Sequence, residues 1–145
     1  MLKAIVFAAA LLAAVPALAQ TVEEVNVQIE SLLGSHEVFE TAINAIQSAV
    51  SDGNVEGVAG YIPFGEPIKV NGEDVIITDE ADLAARFGEL FNDKVTTAVS
   101  EQDYANLFIN QDGIMFGNGE LWVGRVCVDD ACDDFFVNII AINNE

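Results

Sequence analysis

The chain has 145 residues, a formal charge of −19, a pI near 4.1 and a hydrophobic content of 52 %. Five basic residues against 24 acidic ones exclude a phosphate-binding basic face, and with it a nucleic-acid partner or an anionic membrane surface. The balance fits a cationic partner, a divalent metal, or simply solubility in salt, where screening removes most self-repulsion.

In chain order, Lys3 followed by the apolar run Ala4 to Val15 and by Ala17-Leu18-Ala19 has the form of a signal peptide cleaved before Gln20. The run is too short for a spanning helix, which takes about 20 apolar residues. The expected organisation is therefore a signal peptide, 1–19, and a single domain, 20–145, in a secreted protein of the periplasm or extracellular space. Cleavage removes Lys3 and no acid, so the net negative charge rises by one. No membrane attachment is expected after cleavage.

Thr21 and Glu24 form a capping box before a helix with Val22, Val25, Ile29, Leu32 and Leu33 on one face. Gly34 stops it, and Ser35 caps a second helix that buries Val38, Phe39, Ala42, Ile43, Ile46, Ala49 and Val50. Asp52-Gly53 ends that helix, and residues 54–60 read as a further short one. Asn71-Gly72 between YIPFGEPIKV and EDVIIT is a hairpin signal. Pro63 and Pro67 lack amide hydrogens and predict an edge or irregular first strand. A third helix starts at Thr78 or Asp79 and carries Leu83, Phe87, Leu90, Phe91, Val95 and Val99, with Asn92 and Asp93 placed to bend or break it.

The last third reads as consecutive antiparallel strands. NLFI and GIMFG flank Asn110-Gln111-Asp112-Gly113, and GELWVGRVCV and CDDFFVNIIAIN flank Asp129-Asp130-Ala131. Helices grouped against such strands make an α+β domain. Cys127 and Cys132 are the only cysteines, and in a secreted chain they are expected to pair. With Asp129 and Asp130 as two turn residues, Cys127 would face Cys132 across the hairpin. Asp129, Asp130, Asp133 and Asp134 lack the spacing of a twelve-residue calcium loop and read as a solvated tip that blocks edge association. No metal site and no cofactor are expected.

The third helix, then NLFINQDGIMFGNGELW, then a hairpin ending in IIAIN resembles the NTF2-like (SnoaL-like) superfamily, and within it small secreted bacterial proteins without an assigned activity. The matching signature is Asp112-Gly113, Met115, Gly117-Asn118-Gly119-Glu120 and Trp122, with YIPFGEPIKV resembling the first strand. The resemblance covers most of residues 35–143. It implies a cone: a curved antiparallel sheet wrapped around about three N-terminal and central helices, with a cavity at the wide end. It also makes a homodimer through the open sheet face an expectation. Members include isomerases, cyclases and dehydratases as well as inert binding domains, so the fold does not fix the function.

Catalysis of that kind needs a base and a donor aimed at an oxyanion. The candidates are Glu120 with Tyr61 or Tyr104; His36, Asp103, Asp112 and Arg125 read as helix-start, turn or strand residues. Glu120 and Trp122 share strand parity, so both would face one side, and Met115, Trp122 and Glu120 are the candidate binding residues. Asn118-Gly119 reads either as a turn or as a bulge in one long strand. Three functions follow: a non-catalytic binding module for a small apolar ligand or a protein segment, an isomerase, cyclase or hydratase using Glu120, and an acidic inhibitor of a cationic secreted hydrolase.

Overall fold

The structure is a computed structural model that describes residues 19–145; the expected signal peptide, 1–19, lies almost wholly outside the described residues. Among them no helix is long and apolar enough to cross a membrane. The described residues form five α-helices, α1 (Val22–Leu32), α2 (His36–Asp52), α3 (Val55–Ala59), α4 (Glu80–Leu90) and α5 (Asp93–Ser100), and six strands in an α+β arrangement. The strands are β1 (Pro67–Val70), β2 (Glu73–Ile76), β3 (Phe108–Asn110), β4 (Gly113–Phe116), β5 (Leu121–Cys127) and β6 (Phe135–Ile142), in the order β2-β1-β6-β5-β4-β3.

The sheet is curved and mixed, which corrects the expected antiparallel one: β1 runs parallel to β6, with Lys69 opposite Ala141 and Val70 opposite Ile142. Consequently β1 is interior and β2 takes the edge. Pro67 is tolerated because it is the first residue of its strand.

Caps explain most helix ends. The Thr21–Glu24 capping box opens α1. Ser35, expected to cap α2, makes no side-chain cap; the Glu30 carboxylate accepts the His36 backbone N–H at 3.1 Å instead. The expected third helix is two. It breaks after Phe91, and Asn92 restarts it by accepting the Val95 N–H at 3.2 Å. Both halves keep their apolar face, with Leu83, Leu90, Val95 and Val99 at 0–2 % exposure. On α1 and α2 the buried stripe is narrower than expected, since Val22, Leu32 and Val38 stay exposed.

Three of the four hairpins turn as follows. Asn71-Gly72, at φ 50° and 85°, joins Val70 to Glu73 as a two-residue type I′-like turn. Gln111-Asp112 joins Asn110 to Gly113, and the Asn110 side chain accepts from both Asp112 and Gly113. Only glycine fits at 113, because φ is 155° and a Cβ would overlap the Val123 carbonyl. Asn118-Gly119 lies in a four-residue loop between paired Phe116 and Leu121, so it is a turn. The positive φ values fall on Gly117 and Gly119, not on Asn118. The bulge lies further on, where Trp122 faces Ala141 but Val123 faces Ile139, leaving Ile140 as the extra residue.

Helices α1, α2 and α5 cover one sheet face, against β3, β6 and β5 respectively. That inner face is filled: Ile114, Phe116, Leu121, Val123, Ile139 and Ile142 are fully buried. Burying each such side chain contributes about 1.5–3 kcal/mol. The outer face is the one turned away from α1, α2 and α5.

Candidate functional site

Alternation along β6 puts Val137 and Ile139 inside and Phe136 and Asn138 outside. The bulge then keeps Ile140 near Asn138 on the outer side, where Ile140 Cδ1 fills the space a side chain at Gly124 would need. Beside them the ladder to β1 stops. β1 pairs with β6 only at positions 69 and 70, and two prolines, Pro63 and Pro67, cannot donate, so residues 60–66 lie outside the sheet as an irregular wall. The Ile139 N–H donates to the Tyr61 carbonyl at 2.8 Å, and the Gly65 N–H to the Ile77 carbonyl at 2.9 Å, which anchors that wall.

Between wall and strand runs a groove of about 670 Å³. Ile62, Pro63, Val126, Phe136 and Ile140 make it apolar, and Asn138 lies in it. Asn138 is 6 % exposed and is the buried polar residue of the core set. Its side-chain amide makes no hydrogen bond to the described residues, and because no fully buried side-chain N or O atom among them lacks a partner, the amide opens onto the groove rather than being sealed in. The amide offers two donors and an acceptor on one planar group.

The expected binding residues lie nearby in part. Met115 and Trp122 are cross-strand neighbours on the outer face, where Trp122 meets Phe108 edge-on with ring centroids 6.2 Å apart. Neither lines the groove. Glu120 diverges from Trp122: it sits in the hairpin loop, where its carboxylate accepts the Asn118 N–H at 2.6 Å. It borders a separate polar groove with Asp93, Lys94, Glu101 and Asp103.

The other candidates are dispersed. The Tyr61 side chain borders a shallow pocket with Val38 and Phe135. Tyr104 donates to the Asn26 side-chain oxygen at 2.8 Å. Burial pushes its hydroxyl up to about 12, and Glu40 adds to the effect. His36 Nδ1 lies 2.6 Å from Glu30, and the hydrogen bonds from His36 hold the Glu30 carboxyl below its ordinary value. Asp103 caps the 3₁₀ turn Tyr104–Asn106, Asp112 sits in the turn before Gly113, and Arg125 donates to the Leu33 carbonyl at the end of α1. Glu120, Tyr61 and Tyr104 thus occupy three separate places.

Cys127 and Cys132 are disulfide-bonded, with Cα atoms 4.8 Å apart. They do not face each other as expected. Cys127 pairs with Phe135, Val128 donates to the Asp134 carbonyl, and the bond closes part of a seven-residue loop, 128–134. Asp129 turns this loop by accepting the Cys132 N–H at 2.8 Å, and Cys132 takes φ 56°.

Sequence reasoning missed Asn138. The available signal was a lone amide in the otherwise apolar strand FFVNIIAI. Comparisons with protein-family models, with curated proteins and with solved structures return no match.

Proposed function

We propose that this chain is an exported, non-catalytic binding module of the NTF2-like type, and that its site is the outer-face groove beside β6. One observation carries the reading: Asn138, a largely buried residue whose side-chain amide makes no hydrogen bond to the described residues, lines an otherwise apolar groove. A ligand with an apolar body and one polar edge would satisfy that amide and cover the groove's walls. The separation of Glu120 from both tyrosines supports binding over proton transfer, which needs base and donor within hydrogen-bond reach of one reacting group. The leader-like segment 1–19 and the disulfide support export.

Titration with the neutral solvatochromic dye Nile red tests the site. The expected result is saturable one-to-one binding that Ile140→Trp abolishes by filling the groove, with circular dichroism unchanged. Unsaturable binding, or equal binding by the folded variant, would remove the groove as the site.

A further inference from the structure

We infer that the groove receives an extended, positively charged segment of a partner protein. This deepens the binding-module reading and rests on it. Three features converge on one end of the outer face. The groove is open and elongated along β6, and its apolar walls suit the alternate side chains of an extended chain. The Asn138 amide at its floor can donate to one peptide carbonyl and accept from one peptide N–H, which matches backbone better than a hydrocarbon.

The third feature is charge. The groove ends at the Val126–Phe136 pair, two residues from Val128 and Asp134 at the base of the disulfide loop. At the strand rise that is about 7 Å. The loop presents Asp129, Asp130, Asp133 and Asp134, all exposed, and Glu66 lines the groove itself. No cation answers them among the described residues. Lys69 pairs with Asp74 at 2.7 Å, Arg86 with Asp82 at 3.4 Å, Lys94 reaches the Glu145 carbonyl, and Arg125 is turned to Leu33. The disulfide holds the loop's carboxylates together despite their repulsion, and the exposed Val128 and Phe136 add apolar contact between loop and groove. A strongly acidic chain steers a cationic partner toward such a surface and repels a second copy of itself.

The test uses the oxidised full mature chain and a labelled peptide, Lys-Lys-Val-Gly-Val-Lys-Lys, with its Glu-for-Lys counterpart as control, followed by fluorescence anisotropy at low and near-physiological salt. The lysine peptide should bind, more weakly as salt rises, and the glutamate peptide should not. Asn138→Leu should weaken binding about tenfold at every salt concentration. Its melting temperature should hold, because the amide makes no hydrogen bond to the described residues that the substitution would remove. Replacing Asp129, Asp130, Asp133 and Asp134 by Asn should weaken binding and flatten its salt dependence. Equal binding of the two peptides, or an unaltered salt dependence in the loop variant, would overturn the proposal. So would a fall in the melting temperature of Asn138→Leu, which would assign the amide to the fold. Self-association that excludes the peptide would overturn it as well. Nile red binding without peptide binding would reject this inference alone, whereas failure of both would reject the groove as a site.

Discussion

Tyr104 was a candidate proton donor, and its surroundings give it a different task. Its hydroxyl is committed to Asn26 on α1, while burial and Glu40 oppose ionisation. The folded pKa, about 12, stands above the ordinary 10.0. The neutral phenol is therefore the form the fold prefers. Its contribution to stability is complete below pH 10 and is lost as pH rises toward 12. Urea unfolding across that interval should show a falling midpoint for the native chain and a shallower fall for Tyr104→Phe. The phenylalanine variant should also be less stable below pH 10, by about 1 kcal/mol, for want of the hydrogen bond to Asn26. Equal slopes for the two proteins would mean that other groups govern alkaline unfolding.

Among the elements, the disulfide loop separates what local sequence specifies from what it leaves open. Proximity of Cys127 and Cys132 was readable from their spacing and context, but the register was not. A two-residue turn at Asp129-Asp130 would face the cysteines. Instead Asp129 closes a wider turn and the strands begin pairing at Cys127 and Phe135. Closing so short a loop should contribute about 2 kcal/mol. The double variant Cys127→Ser and Cys132→Ser should lose about that much in denaturant unfolding while keeping its far-ultraviolet spectrum; collapse of the sheet would show that the bond also sets the β5–β6 register. The same distinction runs through the chain. Asn71-Gly72 determined its hairpin because positive φ values are a local property. The β1–β6 pairing joins residues some 70 positions apart and left no local trace. The break at Phe91-Asn92 was marked only by a residue able to cap, since the apolar stripe continues across it.

For the whole molecule, the outer sheet face matters most, and it was the least legible part. Alternation predicts which residues point away from the helices, but not that a bulge keeps Ile140 beside Asn138, or that residues 60–66, with prolines at 63 and 67, form a wall. The groove is the product of those two irregularities, and neither is a motif. The acidic balance, by contrast, was plain from the sequence, and the structure adds that the cations among the described residues are already engaged. The asparagines that shape the turns carry a last consequence, one of chemical ageing. Asn-Gly pairs lose ammonia when the following amide nitrogen attacks the side chain. Asn71 donates to the Asn144 side chain at 2.8 Å and accepts the Asn144 backbone N–H at 2.9 Å, so both its polar atoms are held. The Asn118 side chain is exposed and makes no such bonds among the described residues. On storage at mildly alkaline pH, peptide mapping should find deamidation at Asn118 well before Asn71, and Asn144→Ala should bring the two rates together. Old preparations would then become still more acidic at the 117–120 loop while the β1–β2 turn, pinned by the C-terminal tail, stays chemically intact.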